Sequence, residues 1–173
     1  MKREHDMEYI WRDYDPEAMG YVESWLDEAA VRSTGLEDGF RDFYKYWAKE
    51  DGFALGENYW CKVVLEDSQP IAVIALALYE GKTTVMEMVV APEKRCQGKG
   101  TNLLRELLRE KEILGYCVAW AEAVIFLGNA PSQKAFENAG FRYHHTHPDG
   151  DAVIYVYDSG AATNKFLSAD LYS

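Results

Sequence analysis

The run Val89-Val90-Ala91-Pro92-Glu93-Lys94-Arg95-Cys96-Gln97-Gly98-Lys99-Gly100-Thr101-Asn102-Leu103-Leu104 passes from an apolar strand, through a short polar loop, into an amphipathic helix. A helix start leaves backbone N–H groups unpaired and carries a partial positive charge, which makes it an anion site. Glycine at 98 and 100 removes the side chains that would hold an anion off those amides, and Arg95 and Lys99 add formal charge. Phosphate binding is the chemistry that this pattern suits. Two familiar phosphate motifs fit it poorly. A dinucleotide fingerprint needs a third glycine where Leu103 stands, and Glu122, near the expected acidic distance, falls in mid-strand instead of at a strand end. A Walker loop needs Gly-Lys followed directly by Ser or Thr, and Gly100 separates Lys99 from Thr101.

Two carboxylates stand out for a different reason. Glu87 and Glu122 are charged residues within otherwise apolar strands, where burial is costly unless the group has a partner or a function. Each is a candidate proton acceptor, or else a residue facing solvent at a sheet edge. His144, His145 and His147 do not form a metal site on this reading, because strand alternation separates 144 from 145 and no fourth ligand is in view. Cys96 lies beside the helix start and Arg95. Cys61, Cys96 and Cys117 are odd in number and lack paired spacing, so free thiols in a reducing compartment, by default the cytoplasm, are expected. The Trp and Tyr residues before position 61 read as core, not as a ligand cage.

The elements that position these residues follow from hydrophobic period. A strand is expected over 7–13, ending at Asp13-Tyr14-Asp15-Pro16. Asp15 then caps a helix carrying Met19, Val22, Trp25, Leu26 and Ala29, and Phe40, Phe43, Tyr44 and Trp47 mark a second helix before Asp51-Gly52. Three antiparallel strands are read at 59–66, 71–79 and 83–90, with turns at 67–70 and 80–82. Leu103, Leu104, Leu107, Leu108 and Ile113 form the stripe of a helix ending at Gly115. The apolar run over 116–127 predicts a central parallel strand buried on both faces. A helix over 130–139, capped by Asn129 and stopped by Gly140, precedes a hairpin of 141–147 and 151–157.

At 173 residues, one domain over 1–158 is expected, with 159–173 as a tail or interface segment. The balance of 18 Lys plus Arg against 29 Asp plus Glu gives a formal net charge of -11, which repels nucleic acid and reads as simple solubility or, more sharply, as a site that attracts amines. No long apolar run suggests a membrane span, and Met1 to Asp6 carry mixed charge where a signal peptide would be apolar. The sequence leaves a homodimer open.

The Val89–Leu104 run resembles the acetyl-CoA motif of the GNAT acetyltransferase superfamily, a hydrophobic-x-Pro followed by Gln/Arg-x-x-Gly-x-Gly/Ala, which Arg95, Gly98 and Gly100 fill. Asn129-Ala130-Pro131-Ser132-Gln133-Lys134-Ala135-Phe136-Glu137-Asn138-Ala139-Gly140-Phe141 is similar to the family's second signature. The resemblance implies an α/β, GNAT-like acyl-CoA N-acyltransferase fold: a mixed central sheet of about seven strands with flanking helices and the cofactor at the splay between the fourth and fifth. It implies acetyl-CoA (coenzyme A) as cosubstrate, with no metal, and a small-molecule or peptide amine as acceptor. Val89 and Val90 would pair with the pantetheine, and the Val90 N–H would polarise the thioester carbonyl. Arg95, Cys96, Gln97, Gly98, Lys99, Gly100, Thr101 and Asn102 would hold the pyrophosphate, and Asn129, with Ser132 nearby, would contact the pantetheine arm. An alkylammonium with a pKa of about 10.4 needs a proton acceptor, for which Glu87 and Glu122 are the candidates. Phe136 departs from the family, which often has a tyrosine there as proton donor to the thiolate. A general acid contributes about 10² to 10⁴, and a thiol of pKa about 8.5 already leaves readily, so the low end of that range is at stake. Direct transfer through an oxyanion held by a backbone N–H is the implied reaction. The alternatives are a CoA-binding sensor or interaction module without turnover, and a nucleotide-binding protein using the Gly98–Gly100 turn.

Overall fold

The computed structural model of the chain describes residues 9–49 and 53–160. They form one seven-stranded sheet: β1 (Ile10–Asp13), β2 (Tyr59–Glu66), β3 (Gln69–Tyr79), β4 (Lys82–Val90), β5 (Trp120–Phe126), β6 (Arg142–Thr146) and β7 (Ala152–Asp158). The order is β1-β2-β3-β4-β5-β7-β6, antiparallel throughout except where β5 runs parallel to β4. The expected mixed sheet and its helical flanks are therefore present. The segments 1–8, 50–52 and 161–173 lie outside the described residues, and with them the start of the expected first strand, the Asp51-Gly52 break and nearly all of the expected tail.

Tight turns set the antiparallel register. Asp67 and Ser68 both adopt left-handed φ values of 49° and 65°, and Glu80 and Gly81 repeat this at 49° and 78°. Two consecutive left-handed residues match the twist of the strands they join. The first turn is thus Asp67-Ser68, and Gln69 and Pro70 already belong to β3.

Four α-helices cover the two faces: α1 (Glu28–Thr34), α2 (Phe40–Lys49), α3 (Lys99–Arg109) and α4 (Ala130–Asn138). One face packs Ile74, Leu76 and Val85 under Leu104, Leu107 and Phe136 of α3 and α4. The other packs Val73, Ala75 and Val89 under Val22, Trp25 and Phe40.

Three expectations change. The helix expected after Asp15 divides into a 3₁₀ turn over Gly20–Trp25 and α1, because the Asp27 side chain caps a fresh helix by accepting from the Ala30 N–H at 2.8 Å. Asp15 spends its carboxylate on the nearby N–H groups of Glu17 and Ala18 instead. The helix expected to reach Gly115 stops at Arg109, and a further turn closed by Gly115 N–H to Lys111 O still delivers Ile113 and Leu114 to the core. The strand expected over 116–127 is β5, and only Ala121, Ala123 and Ile125 are buried; Val124 and Phe126, on its other face, are 50% and 40% exposed. Among the described residues no helix is long and apolar enough to cross a membrane.

The edge strand β1 is held by a charge. Glu106 of α3, 3% exposed, accepts from the Trp11 indole N–H at 2.8 Å and from the Tyr9 N–H at 3.3 Å. Removing a buried acceptor leaves its donors unpaired. Glu106→Ala therefore lowers unfolding free energy by about 1–3 kcal/mol in urea denaturation.

Candidate active site

The site begins with a mismatch in β4. Ala75 of β3 faces Glu87 and the next residue, Leu76, faces Val85, so Met86 is an extra residue in the ladder. Such a bulge bends its strand and sharpens the local twist. Pairing with β5 covers only Thr83–Val85 opposite Ala121–Ala123 and ends at the bulge. Beyond it the two strands separate.

Backbone direction in that gap follows from one hydrogen bond. Ala91 N–H donates to Ile71 O at 2.8 Å, toward β3. Alternation along an antiparallel strand then turns the N–H and C=O of Met88 and Val90 away from β3 and into the gap. Two of these groups have visible partners: the Glu87 carboxylate accepts from Met88 N–H at 3.1 Å, and Val90 O accepts from Arg95 Nε at 3.0 Å.

The gap opens into a cleft of about 480 Å³. Its floor is Met88, Val89 and Val90; one side is the loop and helix start of Lys94–Cys96 and Gly98–Thr101; the other is α4 with Asn129, Ser132 and Lys134. A third wall comes from Ala29, Ala30, Ser33 and Thr34 of α1. Helix α3 starts at Gly98, in a left-handed conformation (φ 73°), without a side-chain cap and without an acidic residue in its first turn. A Cβ on Gly98 would meet nothing within 4 Å, so it is the left-handed φ and not crowding that favours glycine there. Gly100 serves packing instead. A Cβ there would press on Met88 Cε at 3.3 Å and Ala135 Cβ at 3.7 Å, so its absence lets α3 settle against β4 and α4. At the facing helix, Asn129 Oδ1 accepts from Ser132 N–H at 3.2 Å, capping α4.

The structure thus gathers Val89, Val90, Arg95, Cys96, Gly98, Lys99, Gly100, Thr101, Asn129 and Ser132 around one cleft, while Gln97 and Asn102 lie outside its lining. The Gln97 side chain turns back to Glu93 O at 2.7 Å. Charges in the cleft are mostly engaged. Lys99 pairs with Glu66 at 2.5 Å and Lys94 with the same carboxylate at 3.6 Å, which holds the Glu66 carboxyl below its usual range. Arg95 pairs with Asp27 at 2.6 Å. Lys134, exposed on α4, makes no ion pair among the described residues. Lys134 and Asp27 are not among the residues that the sequence pattern singles out. Their signals are a cation one turn into the helix that Asn129 caps, and an Asp directly before Glu28 in a helix-capping position.

Glu87 and Glu122 share a sheet face. Glu87 lies opposite Ala75, Thr84 opposite Ala77, and Glu122 beside Thr84, all on the side covered by the 3₁₀ turn and α2. Glu87 keeps some solvent contact, yet the protein around its carboxyl pushes its pKa up to about 8; its bond from Met88 N–H acts the other way and is weaker. Glu122 meets the Thr84 hydroxyl at 3.4 Å. Phe136 is buried in the core with its ring 4.9 Å from that of Phe141 and is not part of the cleft lining. Among the described residues no three His, Cys, Asp or Glu side chains converge as metal ligands.

No curated protein sequence matches the chain. Among solved structures, the aminoglycoside acetyltransferase AAC(6')-Ib in complex with paromomycin and acetyl-CoA superposes with a TM-score of 0.70 at 19% identity, over 94% of this chain and 99% of that one. The spermidine N-acetyltransferase of Vibrio cholerae in complex with CoA and spermine gives 0.68 at 13%, over 90% and 98%. An uncharacterised protein of Bacillus halodurans gives 0.70 at 14%, over 88% and 84%. At these identities the likeness is one of fold. The sequence profile of the acetyltransferase (GNAT) family matches residues 9–141, and the chain belongs to that family.

Proposed function

We propose that the chain is an acetyl-CoA-dependent N-acetyltransferase that moves an acetyl group directly to a primary amine of a small molecule or peptide. The observation that carries this reading is the gap between β4 and β5 opening onto an uncapped, glycine-bounded helix start. Acetyl-CoA, when bound, supplies an acetyl thioester already activated for attack by an amine. The residues fit such a group. Backbone N–H groups of Lys99, Gly100 and Thr101 suit a pyrophosphate, flanked by Cys96, Gln97 and Asn102, and Lys134 adds a cation. Val89, Val90, Asn129 and Ser132 suit the pantetheine arm.

The Val90 N–H is the donor turned into the gap, and a fixed backbone donor where negative charge develops is worth about 2.7–4 kcal/mol in an oxyanion hole. Glu87 is the proton acceptor of this reading, with Glu122 as the second carboxylate on the same face. Burial makes Glu87 a far stronger base than an ordinary carboxylate, closer to the amine whose proton it takes. The net charge of -11 draws ammonium ions toward the protein. The aminoglycoside and spermidine enzymes of the same fold support the amine class without choosing the acceptor.

A second reading, a CoA-binding sensor without turnover, draws on Phe136, an apolar core residue where the family often carries a hydroxyl. The two readings part on one experiment. With acetyl-CoA at a hundredfold its Kd, the melting temperature rises by about 5–10 °C, and thiol is released with a member of an amine panel. Stabilisation without thiol release on any amine selects the sensor; an unmoved melting temperature refutes both.

Glu87 also leaves a pH signature. Between its ordinary value of 4.5 and its native value of about 8, the folded chain holds a proton that the unfolded chain has released. The native state binds more protons, so stability falls as pH rises through that window. Glu87→Gln removes that decline and gains about 1–3 kcal/mol on wild type between pH 5 and pH 9, read from urea midpoints. The same variant slows turnover by about 10²-fold and flattens the rise of kcat/KM toward pH 8, with acetyl-CoA affinity intact. An unchanged rate removes Glu87 as the base.

A further inference from the structure

Arg95 stands where a phosphate ligand is expected, yet its guanidinium is engaged on three sides by protein. Nε donates to Val90 O at 3.0 Å, Nη2 to Trp25 O at 2.6 Å, and Nη1 to the Asp27 carboxylate at 2.6 Å. Two of these acceptors are backbone carbonyls, so the side chain reads a chain path and not only a charge. The Asp27 carboxylate also serves a second partner, because its other oxygen caps α1 through Ala30 N–H.

Helix α1 needs such help. It has seven residues, none of them fully buried, and a helix that short has little stability of its own. It nevertheless forms a whole wall of the cleft, through Ala29, Ala30, Ser33 and Thr34. Its other end is tied by Asn129 Nδ2 donating to Ser33 O at 3.4 Å. Both ties therefore come from the two loops that border the cleft, one ahead of α3 and one ahead of α4.

Resting on the reading of the cleft as an acetyl-CoA site, we propose that Arg95 is a positioning residue and not a pyrophosphate ligand. With Asn129 it clamps α1 across the cleft, so that the third wall against the cosubstrate exists only while both loops hold it. Phosphate charge then falls to the amides of Gly98–Thr101 and to Lys134. Binding at the loops and order in α1 become one event, and α1 leads through Gly35 onto the Phe126 ring, 3.6 Å from where a Gly35 Cβ would be, at the margin of the face that carries Glu87 and Glu122.

The full chain tests this with Arg95→Gln, Asp27→Asn and the double variant. Asparagine still caps a helix, so Asp27→Asn removes the ion pair and keeps the cap. Acetyl-CoA affinity is measured by calorimetry at several salt concentrations, and amide hydrogen exchange is followed over Glu28–Thr34. A clamp makes both single variants exchange faster there and weakens acetyl-CoA equally, by about threefold to tenfold, with the double variant no weaker than either. It also leaves the salt dependence of Arg95→Gln parallel to wild type, because no phosphate contact is lost. The proposal is overturned if Arg95→Gln weakens acetyl-CoA with a shallower salt dependence while Asp27→Asn binds as wild type, or if neither variant alters exchange in α1. Failure of the wild-type chain to bind acetyl-CoA would sink the functional reading, and the exchange measurement would still decide the clamp.

Discussion

Everything at the site depends on three residue pairs and no more between β4 and β5. Central strands of a sheet normally exhaust their hydrogen-bonding groups on each other, because an unpaired buried amide is costly. Here the Met86 bulge turns β4 away after Val85, and the groups that would have met β5 face a cleft. Some of that cost is met locally, by the Glu87 carboxylate on Met88 N–H and by Arg95 on Val90 O. The same divergence explains why Val124 and Phe126 of β5 stay exposed in mid-sheet, since the helices of that face pack over β2 to β4.

The proposed anion site, in so acidic a chain, has to be built locally. The cleft collects Lys94, Arg95, Lys99 and Lys134 against a whole-chain charge of -11, and the first three are each held by a carboxylate, Glu66 or Asp27. Partly exposed pairs of this kind add little to stability. Their effect is to orient: Glu66 at the end of β2 gathers two lysines on one side of the loop, and Asp27 draws the arginine to the other. The start of α3 lines the cleft without a side-chain cap, which suits a ligand recognised by helix geometry more than by charge count.

What could be read from the sequence was what is local in the chain. The Gly98–Gly100 turn, the start of the amphipathic α3 and the Asn129 cap each depend on residues a few positions apart, and the structure places them as the pattern dictates. The strand over 59–66 and the two after it were legible because alternation and tight turns are also short-range signals. Asp15 and Asp27 are both of a type that caps helices; Asp15 closes a local turn onto Glu17 and Ala18, and Asp27 caps α1. The Met86 bulge carries no glycine to mark it. The destination of Arg95 was beyond reach, since two of its three partners lie 68 and 70 residues away and its motif points to phosphate. The expectation of burial on both faces over 116–127 rests on apolar composition, and one face of β5 is instead left uncovered where the strand departs from β4.

The demands on proton transfer differ at the two ends of the proposed reaction. A leaving thiolate whose acid has a pKa of about 8.5 needs little help near neutral pH, so a phenylalanine at 136, committed to the core against Phe141, forfeits a modest factor. An ammonium of pKa about 10.4 cannot attack at all until it loses its proton, and there an ordinary carboxylate is a poor base. Glu87, pushed up to about 8 by burial, is charged in about one molecule in ten at pH 7, and each charged molecule is a much stronger acceptor than an exposed glutamate. The rarity of the charged form and the strength of the base pull in opposite directions, and their product favours a pKa near the working pH. On that balance, the absence of a hydroxyl at 136 and a glutamate of raised pKa at 87 are compatible with the proposed transfer.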